Sequence, residues 1–308
     1  MNEKAKAHAA LLLSGLIFGA NYWIAKGLMP DPLLPRQIIF IRACSAAILF
    51  WILASFAKKE TVKKQHLALI AISSILGVAV NQIFFFEGLN LTTPVDAAIL
   101  HSTSPIMVLI FATLIIREKI LFIHALGVIT GATGAVLMVL AGKEAAVFGG
   151  DLRGNIYILV NISAYAMYLV LIKPMMGLYH PFTVMKWVFL FGLLAVAPFS
   201  YHTLPDLGPE VLESRILVSL AYVVLGTTML AYLLTIYGLK YLRASSVGYY
   251  IYLQPIMAGV IGLVWFAEII TTPKIIAALL IFSGVYLVNL KRNDFWKKSG
   301  LNNKVQNK

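Results

Sequence analysis

The chain has 308 residues, of which 60% are hydrophobic and 12% charged, and its mean hydropathy is +0.85; an ordinary soluble domain carries about 25% charged residues, so this composition excludes a water-soluble core. The formal charge of +12 does not describe a nucleic-acid binder, because the basic residues sit in short loops and the tail between apolar runs. The lone cysteine, Cys44, lies inside one such run, which excludes an intrachain disulfide and metal spacings built on cysteine pairs.

Spanning a hydrocarbon layer takes about 20 apolar residues per helix, and the apolar runs are continuous rather than alternating, which favours helices over a barrel. The predicted fold is an all-α polytopic membrane protein with ten transmembrane helices, at 9–27, 34–57, 67–87, 94–116, 121–141, 154–173, 181–200, 215–237, 245–267 and 274–290. Span 1 carries Ser14, Phe18, Asn21 and Trp23; it is too long and too poor in small residues at its end for a signal peptide and reads as a retained helix. Span 2 contains Arg42, and span 3 offers Asn81, Gln82 and Phe85. At the start of span 4, Thr93, Pro94 and Asp96 read as N-cap, first helical residue and N3. Within span 4, His101, Ser102, Thr103 and Ser104 precede Pro105, which removes a backbone donor and frees a carbonyl one turn earlier. A helix kink with a polar neighbourhood is expected there.

Span 5 has a strip of small residues, Gly127 and Gly131, with Gly134 nearby. Close helix packing explains it, and a homodimer contact is the alternative. Span 6 carries Tyr157, Asn161, Tyr165 and Tyr168 at spacings of 4, 4 and 3, which at about 100° per residue share one face. Span 7 holds Lys186, whose ordinary reading is snorkelling to the headgroups. Span 9 repeats the pattern of span 4, with Tyr249, Tyr250, Tyr252 and Gln254 before Pro255. Glu87, Glu118 and Glu268 lie near span ends, so no carboxylate is expected at mid-membrane.

Counting Lys and Arg with the N-terminus inside puts 17 on the inner side, 6 on the outer side and 2, Arg42 and Lys186, within spans. The positive-inside rule then places both termini in the cytoplasm. The second half repeats the first at an offset of 150 residues: Gly88-Leu89 with Gly238-Leu239, Pro105-Ile106-Met107 with Pro255-Ile256-Met257, Glu118 with Glu268, and Gly134 with Gly284. At a local offset of 147, Ser14, Phe18 and Asn21 align with Asn161, Tyr165 and Tyr168. Five helices per half is an odd number, so the halves enter the membrane in opposite orientations, as inverted repeats.

The residues Phe18-Gly19-Ala20-Asn21 through Lys26, Gly88 through Pro105 to Glu118, Tyr165 through Lys173, and Gly238 through Pro255 to Glu268 make the chain resemble the EamA-type branch of the drug/metabolite transporter superfamily. That resemblance implies two repeats of five helices, over 1–145 and 150–292, followed by a cytoplasmic basic tail over 293–308. It also implies a central cavity lined mainly by spans 1, 3, 4, 6, 8 and 9, and export or exchange of amino acids, other metabolites or drugs. Arg42 departs from the repeat, since Phe191 stands at the equivalent position.

The expected function is secondary transport of a small metabolite such as an amino acid across the cell (inner) membrane. A membrane-embedded enzyme, a channel and a sensor are the alternatives. No phosphate-binding Gly-Lys loop calls for ATP, and no cofactor, metal or catalytic residue is expected. Candidate path residues are Ser14, Phe18, Asn21, Asn81, Phe85, His101, Ser104, Asn161, Tyr165, Tyr168, Tyr252 and Gln254. Their alternative role is hydrogen bonding between packed helices. His101 is the candidate for proton coupling. The partners expected are a small-molecule substrate and membrane lipid, and no nucleic acid.

Overall fold

The structure, a computed structural model, describes residues 3–57, 59–116, 121–144, 151–242, 247, 249–266 and 271–289. Glu118, Glu268 and the tail over 293–308 lie outside the described residues, as does the side chain of Tyr252. Ten helical segments follow one another: α1 Glu3–Lys26, α2 Pro35–Ser55, α3 Lys64–Leu91, α4 Pro94–His101 continued by Ser104–Ile116, and α5 Phe122–Glu144. Then come α6 Leu152–Leu178, α7 Pro181–Ser200, α8 Ser214–Tyr241, α9 Leu253–Trp265 with a preceding 3-10 turn Tyr249–Tyr252, and α10 Thr272–Asn289. Seven of the described helices are long and apolar enough to cross a membrane, and three shorter apolar helices complete the set. The protein is an all-α, polytopic membrane protein.

Helix partners are exchanged between the first five and the last five. α1 packs on α8 and α9, α6 packs on α3 and α4, α2 on α7, and α5 on α10 in the most extensive contact of all. Each pairing is the image of another, or of itself, when residues of one set are swapped for their repeat equivalents. Glycines permit the closest approaches. A Cβ at Gly88 of α3 would meet Gly154 O of α6 at 3.0 Å, and one at Gly284 of α10 would meet Gly127 O of α5 at 2.6 Å. The α5 strip is thus filled by α10 of the same chain, which leaves any homodimer to other surfaces.

Local irregularities also recur at the 150-residue offset. The third helix of each set widens into π-helical turns, Ile75–Val80 in α3 and Tyr222–Leu230 in α8, and both resume α-helix immediately afterwards. The ends of these helices are closed by lysine. Lys26 Nζ donates to Leu89 O, Asn90 O and Thr92 O at 2.9, 2.7 and 3.1 Å, and Lys173 Nζ donates to the equivalent Leu239 O and Leu242 O. The last carbonyls of a helix have no intrahelical donor and carry the negative end of its dipole, so an ammonium there satisfies both demands.

The fourth helix begins as its sequence pattern requires, with Thr93 Oγ1 accepting from Asp96 N at 3.1 Å and Pro94 in the first turn. Its interruption at Ser102-Thr103 precedes Pro105. The missing proline N–H would have reached His101 O, and Ser104 Oγ donates to that carbonyl instead, at 2.7 Å. Thr103 Oγ1 similarly donates to Leu100 O at 2.7 Å. Pro105 and Pro255 are both buried, and neither faces the lipid side of the bundle.

Candidate functional site

An open cavity lies between the two helix sets. Six helix-borne positions of its wall form three repeat-related pairs on α1 and α6: Ser14 with Asn161, Phe18 with Tyr165, and Tyr22 with Leu169. α3 and α8 add Gln82 with Tyr232 and Phe85 with Thr235, while α4 and the turn before α9 add His101 with Ile251. Asn21, Asn81, Arg42, Leu11, Gly15, Val247, Tyr250 and Gln254 complete it. Helices 1, 3, 4, 6, 8 and 9 therefore all contribute, and α2 contributes Arg42.

The polar wall groups fall into two kinds. Some tie helices together. Asn161 Nδ2 donates to Asn81 O at 2.7 Å, joining α6 to α3. Its repeat equivalent Ser14 bonds Thr235 Oγ1 at 2.8 Å and Ala231 O at 3.1 Å, joining α1 to α8. These bonds are the helix-packing role that polar residues take in membranes. Other groups keep capacity for a ligand, since Asn21 Oδ1 and Asn161 Oδ1 are buried without a hydrogen-bond partner. An amide oxygen in that position is costly unless water or a solute meets it.

The aromatic part of the wall is held by edge contacts. Tyr22 lies between Phe85 and His101, with ring centroids at 5.6 and 5.9 Å, and its hydroxyl donates to Gln254 Oε1 at 3.0 Å. His101 also meets Phe85 edge-on at 6.0 Å. Phe18 meets Tyr232 at 6.1 Å. Toward the end of the bundle where α1 finishes, Trp23 Nε1 donates to Ala258 O at 2.8 Å and the indole stacks on Phe266 at 4.0 Å. Toward the end where α1 begins, the wall extends to Leu11, Val247 and Tyr250, and His8 Nδ1 bonds the Tyr250 hydroxyl at 2.6 Å.

Of the path candidates read from sequence, Ser14, Phe18, Asn21, Asn81, Phe85, His101, Asn161, Tyr165 and Gln254 come together on this wall. Ser104 does not, because its hydroxyl is turned back onto His101 O. Tyr168 does not either: its ring packs on Gly77 of α3 and its hydroxyl lies 4.0 Å from Met185 Sδ of α7. The stripe on α6 continues by steps of four through Asn161, Tyr165 and Leu169. A four-residue step advances the face by about 40°, whereas the three-residue step to Tyr168 turns it back by about 60°. Tyr157 packs against Phe84 at 5.3 Å, outside the wall. Lys186 sits over Trp51 and Trp187 at 4.9 and 5.7 Å, away from the cavity.

Tyr22, Tyr232 and Thr235 escaped the sequence reading. The signal for the last two was present, since applying the 150-residue offset to Gln82 and Phe85 leads directly to them. Leu11, Leu169 and Val247 carry no such signal, as an apolar residue in an apolar helix looks the same facing a cavity or lipid.

Comparison with known proteins follows the duplication. The profile of the EamA-like transporter family matches residues 5–140 and again residues 152–290. Two proteins of Archaeoglobus fulgidus, each named an uncharacterized transporter, are 25% identical; one aligns over 84% of this chain and 90% of its own length, the other over 94% and 99%. The uncharacterized transporter YyaM of Bacillus subtilis is 24% identical over 79% of each chain. A protein of known crystal structure superposes with a TM-score of 0.58 at 19% identity, over 93% of this chain and 95% of its own, and so shares the fold.

Proposed function

The chain belongs to the EamA-like transporter family, and from that premise we propose that it is a secondary transporter that exports or exchanges a small metabolite, such as an amino acid, by alternating access. The membrane is the cell (inner) membrane, and both termini are cytoplasmic, as the distribution of Lys and Arg favours. The two sets of five helices, 1–145 and 150–292, act as inverted repeats that rock about the cavity between them.

The observation that carries this reading is the cavity wall, to which both sets contribute equivalent positions. A site shared by two bodies is exposed to one side or the other by their relative motion, which a site inside one body is not. The wall offers ring faces from Phe18, Phe85 and Tyr165 for an apolar moiety, and amide oxygens of Asn21 and Asn161 for a polar one. A small solute with both kinds of surface suits it. His101, in the same wall, is the site proposed for proton coupling.

Uptake of labelled amino acids into everted vesicles tests the proposal. Asn21→Ala and Tyr165→Ala are expected to lower uptake about tenfold or more at normal membrane levels, since each removes a wall contact worth a charge-free hydrogen bond or a ring face. His101→Gln is expected to flatten the pH dependence in the same assay. Normal uptake by both alanine variants would place the path elsewhere.

A further inference from the structure

Arg42 is buried, 4% exposed, in the wall of the central cavity. Its guanidinium makes one hydrogen bond, from Nε to Thr228 Oγ1 of α8 at 2.6 Å, and lies 4.8 Å above the ring of Phe86. Among the described residues no carboxylate comes within ion-pairing distance of it. Lys274, also buried, has one, Asp96, at 2.6 Å. Lys26 and Lys173 are each matched to helix-terminal carbonyls. Arg42 is the one permanently charged side chain in the described wall, and no described carboxylate answers it.

A full charge inside a membrane protein is retained at a cost of several kcal/mol unless something answers it. Thr228 and the face of Phe86 answer it in part, through Nε and the ring. Guanidinium has five N–H donors in a planar fork whose geometry matches a carboxylate. The repeat offers no second copy, since α7, the counterpart of α2, contains no arginine. One cation in an otherwise neutral wall selects a ligand of one negative charge.

We infer that Arg42 is the receptor for a single carboxylate, so that the substrate of the central cavity is a small monocarboxylate with an apolar or aromatic body. The inference rests on the transporter reading for its word substrate, but the site itself does not. The body of the ligand meets Phe18, Phe85, Tyr165 and Leu169. An α-amino group, where the ligand has one, finds the unpartnered oxygens of Asn21 and Asn161. A polyanion would bring charges that nothing in the wall matches.

The test uses purified full-length protein in detergent, with thermal melting as the binding readout and four probes: 3-phenylpropionate, L-phenylalanine, 3-phenylpropionamide and phenyl phosphate. The two acids are expected to raise the melting temperature saturably, with the amide weaker by at least about tenfold in apparent affinity, the range for losing a charged hydrogen bond. Arg42→Gln should erase the difference between acid and amide, Arg42→Lys should keep part of it, and Lys186→Gln should leave it unchanged. An amide as good as its acid, no response to either acid, or phenyl phosphate binding tenfold tighter than the acids would overturn the assignment. If Arg42→Gln does not fold, the wild-type acid and amide pair together with Arg42→Lys still decides. Flux in proteoliposomes separates the two levels of the argument. Saturable acid binding without flux of labelled L-phenylalanine removes the transporter reading and keeps the site; equal flux of L-phenylalanine and its amide keeps the transporter and removes the site.

Discussion

Breaking the ion pair between Asp96 and Lys274 should destabilise the protein more than any other single polar change outside the cavity. Asp96 opens α4 and Lys274 opens α10, their charged atoms are 2.6 Å apart, and the side chains are 1% and 3% exposed. Removing one member of such a pair leaves the other charge buried, at about 3–5 kcal/mol. Lys274→Met leaves the Asp96 carboxylate in the first turn of α4, where the helix dipole returns about 0.3–1 kcal/mol. That is too little to offset the loss, so a net cost near 3 kcal/mol is expected. Asp96→Asn keeps the backbone bond to Thr93 but strips the ammonium of its carboxylate, with a cost of similar size. The double variant Asp96→Leu with Lys274→Met removes both charges and should be less destabilised than either single change, giving a coupling of about 2 kcal/mol or more. Unfolding in mixed micelles, followed by tryptophan fluorescence, measures all three. Single variants within about 0.5 kcal/mol of the parent, or a double variant equal to the sum of the singles, would refute the claim that these charges depend on each other.

Ser104→Ala should cost about 1–3 kcal/mol in the same unfolding assay, because it orphans the His101 carbonyl that Pro105 cannot serve. Its uptake kinetics should match the parent, since Ser104 is off the wall; a raised KM with unchanged stability would reverse that placement. For topology, a cysteine at Leu212, which is 74% exposed between α7 and α8, should in a Cys44→Ser background be labelled from outside the cell. Labelling only after the membrane is opened would invert the orientation assigned to both termini.

The sequence alone determined that the chain is a ten-helix membrane protein and that it is duplicated. Both follow from one-dimensional quantities: unbroken apolar length, and pairs such as Gly88 with Gly238 at a single offset. It also marked Asn21, Asn81, His101, Asn161 and Tyr165, because a polar or aromatic residue inside an apolar helix stands out against its neighbours. It could not separate Tyr165 from Tyr168 or Gln254 from Ser104. Those distinctions depend on where a face points after α6 meets α3 and α7, and on which hydroxyl a proline has left a carbonyl for. Nor could it give Arg42 its meaning. A lone arginine in a span reads equally as snorkelling, as half of an ion pair or as a ligand group. The choice turns on what surrounds its guanidinium, and those neighbours, Thr228 and Phe86, lie 186 and 44 residues away in the chain. Such contacts exist only after α2 has packed on α3 of its own set and on α8 of the other, so the charge acquires its environment from tertiary structure alone.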